Sequence, residues 1–210
     1  MNWLKKTWKT LTVTEKVAFA LTILFLGLIL SSVSANAATL REVVAPTVHK
    51  MTDGMQTCSA VMLAPGRAVT AAHCTDMTTP TLEVNGVKYP VTEAYANTDR
   101  DLAILIVPGA PCPCATVGTI APNEGDGVAV VGYPYGIARV VTYGEVQARI
   151  VNSEDKREYV LTTASGAPGN SGGGVFDSYG YLVGILSMAA DGYLTLYVEM
   201  QAVALTIPTK

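Results

Sequence analysis

Beyond Ala38 the chain consists of short apolar or alternating runs broken every few residues by Gly, Pro, Asn or Asp. Almost no stretch carries the helical period of an amphipathic helix, so the apolar side chains must be buried by alternation across sheets, and the chain reads as all-β. Strands are predicted over 58–63, 67–71, 81–84, 87–91, 102–107, 127–132, 138–150, 159–163, 174–177, 182–189 and 195–199. Between them stand Pro65-Gly66, Asn85-Gly86, Pro108-Gly109 and Asp191-Gly192, pairs that supply the fixed or positive φ a tight turn needs. Residues 108–126, rich in Pro, Cys and Gly, divide the strands into two groups of similar size. Two packed antiparallel β-barrels are the natural architecture.

The first 37 residues are of another kind. Lys5, Lys6, Lys9 and Lys16 face a single acid, Glu15, and an almost purely apolar run follows over 17–30. A basic segment, an apolar segment and then the small residues Ala35-Asn36-Ala37 make a signal peptide cut after Ala37. An uncleaved membrane-anchor helix is the alternative. It needs about 20 apolar residues, which the run reaches only by borrowing 31–38. In both cases the lysines stay inside and the rest of the chain is exported, either periplasmic or secreted, or membrane-anchored outside the cytoplasm. The expected organisation is therefore 1–37 leader or anchor, 38–115 N-terminal barrel and 116–210 C-terminal barrel.

Without residues 1–37 the chain keeps 10 basic and 16 acidic residues. An acidic chain with no basic stripe is a poor nucleic-acid ligand, and contact with a membrane is expected only through the N-terminal segment. Four cysteines in an exported protein point to disulfides. Cys112-Pro113-Cys114 stays unassigned, because two cysteines one residue apart seldom bridge without strain. With His49 and His73 the only histidines, no metal site and no other cofactor is expected.

Two segments carry chemistry. In Gly169-Asn170-Ser171-Gly172-Gly173 a glycine stands two residues before a serine and two glycines follow it. Such a turn lets the Gly169 and Ser171 N–H groups converge on one spot and leaves the hydroxyl unobstructed, so the serine can attack while the amides hold an oxyanion. The same composition is also that of an ordinary glycine-rich turn. In Thr70-Ala71-Ala72-His73-Cys74 an apolar strand ends in a histidine, a side chain able to take the serine proton near neutral pH and return it to a leaving group.

Together these segments resemble the two signatures of the chymotrypsin (trypsin-like) serine protease family. The resemblance covers about 44–208 and implies two six-stranded barrels with the active site in the cleft between them. It also implies a serine endopeptidase acting through an acyl-enzyme on peptide or protein substrates. The third triad member is then expected in an Asp-Leu-Ala-Ile-Leu strand start, which Asp101-Leu102-Ala103-Ile104-Leu105 matches. The implied triad is His73, Asp101 and Ser171, with Asp99 and then Asp76 as substitutes for the acid. The implied oxyanion hole is formed by Gly169 and Ser171, and the implied disulfide joins Cys58 to Cys74. Substrate-binding positions carried over in the same way are Ser165 at the pocket floor and the strand through Ser187 and Ala189 along the wall. With no acid at Ser165, a small or medium apolar side chain is the expected preference. The alternative function is a catalytically idle relative that binds peptides or an envelope partner.

Residues 162–171, with Val130-Val131-Gly132-Tyr133-Pro134 upstream, look most like the bacterial Deg-type and glutamyl-endopeptidase-like branch. Two departures stand out. Asn170 replaces the aspartate with which animal relatives pair a new N-terminus, and Gly174 replaces the usual proline, which is expected to loosen the strand entry. With 39 residues after Ser171, the C-terminal peptide-binding domain of Deg-type enzymes is not expected within this sequence.

Overall fold

The computed structural model describes residues 12–14, 16, 21–22, 40–154, 156–190 and 194–200. The cleavage motif at Ala35-Asn36-Ala37, nearly all of the 1–37 segment and the Asp191-Gly192 turn lie outside the described residues. Among the described residues no helix is long and apolar enough to cross a membrane.

Seven strands form the first sheet: β1 (Val48–Thr52), β2 (Thr57–Ala64), β3 (Arg67–Thr70), β4 (Thr81–Val84), β5 (Val87–Pro90), β6 (Glu93–Asn97) and β7 (Leu102–Ile106), in the order β5-β4-β1-β2-β3-β7-β6. Six more close into a barrel: β8 (Gly127–Gly132), β9 (Val140–Val151), β10 (Glu158–Thr162), β11 (Gly174–Asp177), β12 (Leu182–Ala190) and β13 (Leu194–Glu199), in the order β10-β13-β12-β11-β8-β9. The pairings between these strands are antiparallel. The all-β double-barrel class is as expected, with one difference in detail: the N-terminal sheet is a half-barrel that leaves β5 and β6 as edges.

Local chemistry accounts for the elements. Asn85 and Gly86 both take positive φ, at 52° and 79°, and join β4 to β5 with Val84 opposite Val87, the two-residue hairpin whose twist suits the flanking strands. Two strands escaped the pattern. Strand β6 is an exposed edge reading Glu-Ala-Tyr-Ala-Asn, with no apolar alternation, and exists because β7 offers it a partner. Strand β1, Val-His-Lys-Met-Thr, lies between β2 and β4 and is mostly buried despite its two basic residues. Neighbouring strands, more than its own propensity, decide such a segment.

One core cluster runs between the two sheets, joining Val61, Val69 and Leu102 to Val131, Phe176 and Ile185, while separate clusters fill each body. Each such fully buried Val, Ile or Phe contributes about 1.5–3 kcal/mol. Gly174 opens β11 directly beneath the Phe176 ring, and a Cβ there would strike it. The glycine at this position therefore makes room for a buried aromatic ring.

Candidate active site

The end of β3 and the start of β7 are neighbours, Thr70 pairing with Ala103. The 3-10 turn Ala72–Asp76 that follows β3 is thereby laid beside the turn Thr98–Arg100 that precedes β7. Asn97 caps the second turn by accepting the Arg100 N–H, and Asp101 closes it in the left-handed region at φ 50°. This geometry brings the Asp101 carboxylate under His73. One oxygen accepts the His73 backbone N–H at 3.0 Å, and imidazole Nδ1 lies 3.0 and 2.9 Å from the two oxygens. A carboxylate only accepts, so Nδ1 carries a proton, and in the neutral imidazole the lone pair is then on Nε2. Asp101 is buried and the His73 side chain is about half exposed.

Ser187, on β12, donates its hydroxyl to Asp101 Oδ2. Burial pushes the Asp101 carboxyl up, but hydrogen bonds from the His73 imidazole, the Ser187 hydroxyl and the His73 N–H outweigh it and hold the group below the ordinary carboxylate range. Asp101 is therefore ionised at neutral pH. Asp99 and Asp76, the alternatives for the acid, are exposed.

Cys58 on β2 and Cys74 beside His73 are bridged, with Cα atoms 6.2 Å apart, inside the range a disulfide requires. Ligating atoms of Cys58, Cys74 and His73 lie within 4.8 Å of one another, but both sulfurs are consumed by the bridge and are not metal-binding thiolates. Cys112 and Cys114 are also bridged, Cα to Cα 4.8 Å, a pair that the sequence leaves unassigned.

Ser171 reaches the same place from the other sheet. Gly172 N–H donates to Leu186 C=O at 2.7 Å and Leu186 N–H to Gly173 C=O at 2.9 Å, which ties the serine turn to β12. The Ser171 hydroxyl donates to Ser187 C=O at 3.1 Å. No hydrogen bond joins that hydroxyl to the His73 imidazole, since the hydroxyl is given to Ser187. Gly169 takes φ +94°, and a Cβ on it would sit 2.5 Å from Tyr133 C=O and 2.9 Å from Tyr135 N. Pro168 C=O accepts the Tyr135 N–H at 2.7 Å. Across a trans peptide the Gly169 N–H then points the opposite way, and among the described residues neither it nor the Ser171 N–H has an internal acceptor. Asn170 is buried, with its side-chain oxygen unpartnered.

Of the positions expected to bind substrate, Ser165 is exposed, its C=O accepting the Thr142 hydroxyl at 2.7 Å. Its neighbour Gly166 lies against the buried Thr195 hydroxyl. Ala189 pairs by backbone with Thr195, and its side chain lies outside what is described. A cleft of about 650 Å³ between Ile120, Asp126, Asp177 and Tyr179 contains no residue of this site. The sequence marks Ser187 only as a pocket-wall position and gives no sign of Ser59. Both are ordinary strand serines whose partners are remote in the chain.

Half-barrel and closed barrel, with a histidine–carboxylate pair from one and a glycine-flanked serine from the other, define the trypsin-like class of serine peptidase. The model of the trypsin-like peptidase domain matches residues 58–185. The chain belongs to that family. It is 29% identical over 112 residues to a DegP-like periplasmic serine endoprotease of Chlamydia pneumoniae, covering 51% of this chain and 23% of the relative. It is 37% identical over 73 residues to the serine endoprotease DegS of Escherichia coli K12, covering 33% of this chain and 21% of that protein. The chain thus spans less than a quarter of the length of these relatives. Among solved structures, the active form of the Rv3671c protease of M. tuberculosis superposes with a TM-score of 0.72 at 22% identity, over 81% of this chain and 86% of that one. The HtrA-type protease AlgW with a tripeptide superposes with a TM-score of 0.71 at 25% identity, over 80% of this chain and 61% of that one.

Proposed function

We propose that the chain is an exported endopeptidase that cleaves peptide bonds through an acyl-enzyme on Ser171. The observation that carries this reading is the His73–Asp101 pair, with Nδ1 held as donor and Nε2 left as base. In the reaction the Ser171 hydroxyl turns about χ1 from Ser187 C=O to Nε2. His73 takes its proton as Oγ attacks the substrate carbonyl, and the C–N bond breaks as the imidazolium returns the proton to the leaving amine. Water, deprotonated by the same Nε2, then hydrolyses the ester and regenerates Ser171. Asp101 stabilises the imidazolium, and the Gly169 and Ser171 N–H groups receive the oxyanion.

Export rests on the basic-apolar-small pattern of residues 1–37 and on the periplasmic naming of the DegP-like relative. The proposed halves, 38–115 and 116–210, follow the two sheets, whose strands run over 48–106 and 127–199. Substrates are unfolded or extended protein segments with a small or medium apolar residue before the cut, since Ser165 brings no charge. The alternative, an idle relative that binds a peptide or envelope partner, draws on the Ser171 hydroxyl being engaged by Ser187 C=O. A fluorophosphonate probe separates the two. The wild-type chain is expected to be labelled stoichiometrically and to cleave fluorescent casein, and Ser171→Ala to do neither. A wild type that takes no label favours the idle relative.

A further inference from the structure

Strand β2 outruns its partner β3. With Val61 opposite Val69, the position facing Ser59 is one where the β3 chain has already turned away toward His73. The polar groups of Ser59 are therefore free for something other than a ladder, and they are all used. Its N–H donates to Ser171 C=O at 2.7 Å, and its C=O accepts the Thr70 hydroxyl at 2.7 Å. Its own hydroxyl donates to Gly169 C=O at 2.9 Å and accepts the Tyr133 N–H at 2.9 Å. Ser59 is fully buried, so each of these groups would be an orphan without its partner. A Cβ on Gly172 would strike both Ser59 C=O and the Thr70 hydroxyl, a measure of how closely β2 and the serine turn are pressed together.

We propose that the Ser59 hydroxyl is a positioning group for the oxyanion turn, holding the peptide plane after Gly169 while Tyr135 N–H holds the plane before it. This rests on the reading of Ser171 as nucleophile and Gly169 as oxyanion donor. Glycine at φ +94° has no Cβ to restrict it, so its orientation is set by what grips the carbonyls on either side. Pro168 C=O is gripped by Tyr135 and Gly169 C=O by Ser59. The same hydroxyl ties the turn to the end of β8 through Tyr133. Ser59 touches no reacting atom, and its action on the reaction passes through Gly169.

The test uses the full chain with two substitutions, Ser59→Ala and Thr70→Val. Each removes one buried hydroxyl from the same cluster, but only the first loosens Gly169. In casein hydrolysis Ser59→Ala is expected to lower kcat about 10- to 100-fold, short of the ~100- to 1000-fold loss of a whole oxyanion donor, with KM changed less than about threefold. Affinity for phenylboronic acid, whose tetrahedral adduct with Ser171 places an oxygen in the oxyanion site, is expected to fall in parallel with kcat. Thr70→Val is expected to lower the melting temperature to a similar degree while keeping kcat and boronate affinity within about threefold of wild type. Ser59→Ala with wild-type kcat and boronate affinity overturns the proposal, and so does an equal loss of both in Thr70→Val. Should the wild type itself neither hydrolyse casein nor take a fluorophosphonate, the peptidase reading fails separately. The positioning role is then decided by the Gly169 amide signal in ¹⁵N spectra. A signal displaced in Ser59→Ala alone supports the role, and one unmoved overturns it.

Discussion

Replacing Asp101 by asparagine isolates the contribution of one charge, because the backbone offers no objection. Asp101 sits at φ 50°, ψ 45°, and asparagine is as well suited to that left-handed conformation as aspartate. The hydrogen-bond inventory is what changes. Oδ1 accepts from the His73 backbone N–H and lies 3.0 Å from Nδ1, while Oδ2 lies 2.9 Å from Nδ1 and accepts from the Ser187 hydroxyl. Both oxygens therefore face donors, and an amide NH₂ in either place sets donor against donor. The imidazole can relieve the clash by moving its proton from Nδ1 to Nε2, where it blocks the nitrogen that must receive the serine proton. The expected cost is the one associated with a wrong tautomer, roughly 10⁴-fold in kcat, equivalent to about 5 kcal/mol of barrier. Stability should fall by much less, about 1–3 kcal/mol for weakened hydrogen bonds to a charged acceptor. Casein hydrolysis and the rate of fluorophosphonate labelling are the assays, with urea unfolding as the control. An Asp101→Asn variant that keeps more than a tenth of wild-type kcat would refute the argument, and Asp101 would lose its place in the triad.

Stability should fall on acidification as a result of His49, which is buried with Nε2 unpartnered. Burial, then the Arg139 guanidinium, hold it down to about 4, against a weaker raising effect of its hydrogen bond to Glu83 backbone. The folded state thus refuses a proton that the unfolded chain binds near pH 6.5. Stability is complete above that pH and declines toward pH 4 by up to about 3 kcal/mol. Urea midpoints measured from pH 7.5 to 4.5 should show the slope in wild type and lose it in His49→Leu. Gly172→Ala, which asks for a side chain at φ +80° against the Ser59 backbone and the Thr70 hydroxyl, should cost about 3 kcal/mol or more and abolish labelling of Ser171. A normally folded, labelled variant would show the turn to be looser than described. Replacing Cys58 and Cys74 together by serine opens a loop with a sequence separation of 16 and should lower stability by about 3 kcal/mol, read from urea unfolding with and without reductant.

What the sequence determined by itself is what short range can encode. Asn85-Gly86 dictates a hairpin, Gly169 and Gly172 permit the positive φ at which the serine turn is held, and the alternation from β2 onward places most strands within a residue or two. The resemblance carried by Thr70–Cys74 and Gly169–Gly173 adds the pairing of His73 with Asp101 and of Cys58 with Cys74, which the structure places in contact. Tertiary structure alone decided the rest. Strands β1 and β6 have no apolar alternation to announce them and are strands because β2, β4 and β7 supply their hydrogen-bond partners. The room that Gly174 leaves for the Phe176 ring is visible only once the ring is packed against it. The hydroxyls of Ser59 and Ser187 look like any strand serine in the sequence, because a hydroxyl has no pattern of its own. Their roles come from acceptors 110 and 86 residues away that only the packing of the two sheets brings within reach.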